Sequence, residues 1–134
     1  MKEHTRRLLL KARRAIDSAG RLVADGDLDF AASRSYYAMF YAATGLLNEE
    51  LVITRKHSGV HSMFAELYIR TGKMNPKYHK WLLQAFAARL ESDYDVEIAF
   101  AVERVELMIG RSREFVDAVE QILGSVRDKM PRVE

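Results

Sequence analysis

From residue 98 to residue 126 the apolar positions step by four and three without a slip: Ile98, Val102, Val105, Ile109, Ser112, Val116, Val119, Leu123 and Val126. Eight of these nine side chains are apolar, and only an α-helix gathers such positions onto one stripe. A stripe kept over about four heptads describes a long helix that packs along its whole length. Its partner is either the rest of the same domain or a second chain in a coiled coil; a chain of 134 residues already offers enough helices to choose the first.

The rest of the chain repeats that period. Leu8, Ala12, Ile16, Ala19 and Val23 form one stripe, while Arg7, Lys11, Arg14 and Arg21 form a basic face. Asp25-Gly26-Asp27 breaks the pattern, and Asp27 suits the N-cap of the next helix, over about 28–50. That second helix contains FAASRSYYAMFYAATGLL, apolar on almost every side, with Ala31, Ala38, Ala42 and Gly45 as small positions. Such a segment belongs at the centre of a bundle. After LVITRKHS, Ser58 or Thr54 is placed to cap a third helix on Val60, Met63, Phe64 and Leu67, ended by Thr71-Gly72. Asn75-Pro76 opens a fourth. The expectation is an all-α, antiparallel up-and-down bundle of four to five helices with a long C-terminal helix. It forms a single domain over 1–134, with its core about 4–126 and a flexible tail at 127–134.

The sequence holds no cysteine, which excludes disulfides, thiolate metal sites and cysteine nucleophiles, and fits a cytoplasmic setting. No apolar run approaches the roughly 20 residues of a membrane span, and MKEHTRRLLL does not read as a signal peptide. There is no phosphate-cradling glycine loop and no Gly-x-Ser-x-Gly elbow. His57 and His61 have the spacing of two ligands on one helix face, but with Ser58 as cap His57 falls outside the helix, and no zincin glutamate follows. Glu91, Asp93, Asp95 and Glu97 read as a solvated junction, with Asp95 capping the last helix, rather than as a cation site. Neither a metal nor a cofactor is expected.

Charge is uneven. Residues 1–21 hold seven Lys and Arg against two acids, residues 55–80 six against one, and residues 85–106 two against six. The two basic segments together suit RNA or phosphate; separately they are solvated helix faces. Two arginines interrupt apolar helices: Arg34, with Tyr37 and Tyr41 on its side, and Arg89, one turn after Ala85 and Phe86. Each is a tie to carboxylates or a cation held at a cleft. A guanidinium binds phosphate bidentately, and tyrosine hydroxyls can share that work.

The order SRSYYAMFYAATGLL, then RKHSGV, then ARLESDYD before a long final helix resembles the HEPN superfamily, and within it the small stand-alone prokaryotic branch, from about Asp25 to Leu123. The resemblance implies a helical bundle that forms a homodimer and pairs with a minimal nucleotidyltransferase in toxin–antitoxin-like modules. Many members are metal-independent ribonucleases whose signature is an Arg, four to six residues, then a His. Arg89 stands at the fitting place, but four residues intervene before Tyr94, where a His is expected. The resemblance carries Arg89 over as a phosphate-binding residue and the histidine role to nothing; with the residue reading above, the candidate phosphate site is Arg34, Tyr37, Arg89 and Tyr94, and His57 is a loop imidazole that no family motif places there. Binding of nucleotide or RNA is the expected role. A ribonuclease toxin using Arg89 and Tyr94 is the alternative, and an adaptor without a ligand the further one.

Overall fold

A computed structural model of the protein describes residues 1–96 and 99–124. Helix α1 (Glu3–Ala24) ends where the pattern breaks, and α2 (Leu28–Glu49) follows after three residues. Gly26 takes φ 82°, while its amide donates to the Val23 carbonyl and that of Asp27 to Leu22. This is the left-handed C-terminal cap that glycine adopts without steric cost. Asp27 holds the N-cap position of α2, though its side chain makes no capping hydrogen bond. The other end of α2 closes by the same pair of bonds, Leu51 to Asn48 and Val52 to Leu47, but here the left-handed residue is Leu51, at φ 59°.

Helix α2 is the axis of the bundle, packing against all four of the other α-helices. Ala31, Ala38, Ala42 and Gly45 are all buried, so the small residues do admit close neighbours. Thr5 shows how close: its hydroxyl reaches the Gly45 carbonyl and accepts from Asn48 Nδ2 at 2.9 Å, binding the start of α1 to the end of α2. Along α1, Ala12, Ile16 and Ala19 are buried and the four predicted basic residues are exposed.

Helix α3 (His57–Phe64) runs directly into one π-helical turn, Ala65–Ile69. Its start corrects the sequence reading, since His57 lies inside the first turn and neither Ser58 nor Thr54 caps it; Lys56 holds the N-cap position, its carbonyl accepting from Val60. Thr54 has a different task. A Cβ built on Gly59 would meet Thr54 Oγ1 at 2.2 Å, so the threonine occupies the space that only glycine leaves free. Helix α4 (Lys77–Tyr94) begins after Pro76, with Asn75 Oδ1 accepting from the Lys77 amide.

The last helix, α5 (Val102–Leu123), starts later than its stripe suggests. Asp95 is the C-cap of α4, not the N-cap of α5, which is Ala101. Burial of the Phe100 ring fixes the approach to α5 outside the helix. Val105, Ile109, Ser112, Val116 and Val119 are buried as expected, whereas Val102 is exposed; Ile98, Val126 and the tail lie outside the described residues. The one polar member of the stripe is satisfied by α2: the Ser112 hydroxyl lies 2.8 Å from the Ser35 carbonyl and 2.9 Å from that of Met108. Arg13 joins α1 to α5 through Glu120 and Asp117. Ion pairs Lys77–Glu114 and Arg104–Glu91 set α4 and α5 antiparallel. No helix among the described residues is long and apolar enough to cross a membrane.

Candidate functional site

The period of α2 divides one aromatic run between two tasks. Tyr36 turns inward and is fully buried, while Arg34, Tyr37 and Tyr41 recur at spacings of three and four on a flanking face that stays half-exposed. Helix α3 meets Tyr36 with His57 and His61, four residues apart and hence on one side. Helix α4 meets the same place with Phe86 and Arg89.

Tyr36 is the hub. Its hydroxyl oxygen lies 2.7 Å from His57 Nδ1 and 2.8 Å from His61 Nε2. The His57 ring is stacked between Phe40, at 4.4 Å between centroids, and Phe86, at 5.6 Å. Burial, then the neighbouring Tyr37, pushes the Tyr36 phenol well above its ordinary value, with Arg89 opposing the rise, so it stays protonated. Burial and the Arg89 charge push His57 below its ordinary value. His61 is lowered further, to about 4, by burial and then by repulsion from His57 and His79. Both imidazoles are therefore neutral at physiological pH.

The two arginines share one ring. Arg34 Cζ lies 4.7 Å from the Tyr37 centroid and Arg89 Cζ 5.4 Å from it, with the His57 ring 5.9 Å from the same centroid. Arg89 Nε stands 3.0 Å from Asp93 Oδ2, one helical turn on, yet the direction is too poor for a hydrogen bond and this buried nitrogen has no other partner. Distance alone would make this a tie; the misalignment leaves Asp93 as a screening charge rather than a closed fork. Arg34 forms no ion pair among the described residues.

Arg34 also lines a cleft of about 250 Å³ between α1 and α2, with Lys11, Arg14, Arg21 and Tyr41 on its walls. Lys11 Nζ sits 4.7 Å from the Tyr41 centroid, and Tyr41 is 5.8 Å from Tyr37, so the basic face of α1 runs into the Arg34–Arg89 site. In the second basic segment Lys77 pairs with Glu114 and Lys73 lies over Tyr68.

Of the residues singled out from sequence, Arg34, Tyr37, Arg89 and His57 come together. Tyr94 does not join them within the chain. It is 82% exposed, and five residues turn a helix by about 140° past a full turn, to another face from Arg89. The acids are dispersed, Glu91 to Arg104 and Asp93 to Arg89, and no group of three metal-ligating side chains occurs among the described residues. Sequence reasoning passed over Tyr36, hidden among five neighbouring aromatic and small residues. The His57–His61 spacing was the one signal that pointed toward it.

A HEPN domain model matches residues 5–122. The chain belongs to the HEPN family. Two proteins of Methanocaldococcus jannaschii named "Putative toxin" are similar to it. One is 30% identical over 91% of this chain and 83% of its own length. The other is 28% identical over 72% and 71%. A Thermotoga maritima protein named only as a member of UPF0332 is 33% identical over 87% of this chain and 89% of its own. Within this HEPN domain no histidine follows Arg89 at the motif spacing, while α3 places His57 near enough for the Arg89 charge to lower it.

Proposed function

We propose that this HEPN protein is the phosphate-binding member of a toxin–antitoxin-like module, acting as a homodimer with a minimal nucleotidyltransferase and holding nucleotide or RNA at Arg34, Arg89 and Tyr37. The observation that carries the reading is the pair of guanidinium groups over one tyrosine ring, with one poorly aligned carboxylate beside Arg89 and none paired to Arg34 among the described residues. Two guanidinium groups that share a ring repel each other to an extent set by their separation, and an anion that accepts from both offsets that repulsion. The basic cleft along α1 extends the attraction to a chain of phosphates, and Tyr37 and Tyr41 offer rings on which bases stack. The toxin names of two relatives support the module. A groove between α4 and α5, floored by the buried Met39, Ala85 and Ala88 and rimmed by the exposed Leu107 with Arg104 and Arg111, supports a second copy.

The ribonuclease reading has an observation of its own, the His57 imidazole beside Arg89. An adaptor without a ligand leaves Arg34 with only its contact over the Tyr37 ring. Fluorescence anisotropy with a labelled single-stranded RNA, competed by nucleotides, tests the site. Arg34→Ala and Arg89→Ala are each expected to weaken binding roughly tenfold or more, the worth of a charge-assisted contact. Equal affinity in both variants and the parent chain sinks the reading. A nucleotidyltransferase that co-elutes with the protein when the two are expressed together supports the module.

A further inference from the structure

Helix α1 sorts its cations by direction. Arg6 and Arg7 pair with Glu3, and Arg13 pairs with Glu120 and Asp117. Lys11, Arg14 and Arg21 recur at spacings of three and seven, so they share one face of the helix. That face lines the cleft between α1 and α2 opposite Arg34. None of these four cations forms an ion pair among the described residues. Asp17 is the one acid on the walls, so four positive charges meet one negative and three are left over. Unmatched charges of one sign at a concave surface attract an anion more strongly than the same charges spread out. Two of the four are held on rings, Lys11 over Tyr41 and Arg34 over Tyr37, each at 4.7 Å, and a held cation loses less freedom when it binds.

Size decides which part of an anion enters. At about 250 Å³ the cleft is smaller than the roughly 300–1,000 Å³ of a site that encloses a whole drug-sized ligand. A short phosphate chain fits; a nucleoside beside it does not. Charge decides the kind of phosphate. A phosphodiester strand brings one charge per nucleotide, too sparse for so small a space. A terminal phosphate carries about −1.5 to −2, and a chain of phosphates linked through shared oxygens carries roughly twice that. Such a chain matches the surplus on the walls. Arg34 joins the cleft to the first site, because it lines the one and shares the Tyr37 ring with Arg89 in the other. Its guanidinium fork has donors enough for adjacent phosphates.

We propose that the anion held at Arg34 is a linear condensed phosphate, free or as the tail of a nucleoside polyphosphate. One end lies at Arg34 and Arg89, and the rest runs along the cleft on Lys11, Arg14 and Arg21. This rests on the reading that Arg34 and Arg89 hold a phosphate, and it selects the condensed chain over a strand of RNA. The Ser18 and Tyr41 side chains on the walls add neutral hydroxyl donors.

The test is isothermal titration of the full chain at about 0.15 M salt, where exposed charges are screened beyond about 8 Å. The probes are orthophosphate, inorganic triphosphate, a nucleoside triphosphate and a single-stranded RNA with a 5′-hydroxyl end. Triphosphate should bind at least about tenfold more tightly than orthophosphate, the worth of one further charge-assisted contact. Arg14 and Arg21 are exposed, so the double variant Arg14→Ala/Arg21→Ala should keep its circular dichroism spectrum. It should bind triphosphate roughly tenfold more weakly and orthophosphate within about twofold of the parent chain. Arg89→Ala should weaken both anions. With the parent chain alone, triphosphate should raise the melting temperature more than orthophosphate at equal concentration. A nucleoside triphosphate equal to triphosphate makes the free chain sufficient, and a tighter one assigns the nucleotide as its source; both support the proposal. Equal affinity for orthophosphate and triphosphate overturns it, as does a double variant that binds triphosphate like the parent. So does RNA that outbinds triphosphate and depends on Arg14 and Arg21, which gives the cleft to a strand. In each of these cases binding lost in Arg89→Ala leaves the phosphate reading standing. Affinities for every probe unchanged in both Arg34→Ala and Arg89→Ala remove the two together.

Discussion

Lowering the pH should destabilise the protein before its carboxylates titrate, and most of the effect should come from His61. That imidazole is buried against Tyr36, Phe40 and Phe86, and its folded pKa of about 4 lies below the 6.5 of an unfolded chain. The unfolded state therefore binds the proton first, so the stability His61 supplies is complete above pH 6.5 and is lost as pH falls toward 4. Those two values give a loss of about 2 kcal/mol at pH 5 against about 0.2 kcal/mol at pH 7; solvent screening trims the difference to about 1–2 kcal/mol. His57 and His79 are lowered as well and act in the same direction. Urea unfolding at pH 7 and pH 5, on the parent chain and on His61→Gln, separates them. The parent should be less stable at pH 5, and the variant should lose about 1–2 kcal/mol of that dependence whatever its absolute stability. An unchanged pH dependence in His61→Gln refutes the reasoning, as does a parent equally stable at both values.

Tyr36→Phe leaves His61 Nε2 buried without its partner and should cost about 1–3 kcal/mol by chemical denaturation, while His57 turns to water. Gly59→Ala places a methyl where Thr54 Oγ1 stands and should destabilise by about 1–3 kcal/mol; adding Thr54→Ala should recover most of it, and an equally unstable double variant would rule out the clash. Leu51→Gly should stabilise by about 0.5–1 kcal/mol in thermal melts, because φ 59° strains a leucine that is 76% exposed and packs little.

The sequence was most informative where burial follows a period. An α2 that is apolar all round had to be central, and the stripe on α5 named five of its seven buried residues. The Gly26 break was legible for the same local reason, since a left-handed cap needs only its own bonds. The site was legible by residue type and not by geometry. Arg34 and Arg89 stood out as charges in apolar helices, but nothing in their spacing says that both lie over Tyr37. His57 was displaced from α3 because a serine beside it is a good cap by itself; contact with Tyr36, Phe40 and Phe86 outweighs that preference. Tyr36 gave no signal, because a hydrogen bond between residues 36 and 57 leaves no mark on local pattern.

The two guanidinium groups over Tyr37 have a thermodynamic consequence for handling the protein. A fold that confines like charges is one whose melting temperature depends on the anions dissolved around it, because whatever occupies the site binds the native chain and not the unfolded one. Occupancy at 100 times the dissociation constant adds about 2.7 kcal/mol. A panel of nucleotides, polyphosphates and short RNAs in a thermal-shift screen would thus rank ligands by chemistry before any activity is known. In Arg34→Ala or Arg89→Ala the same ranking should flatten.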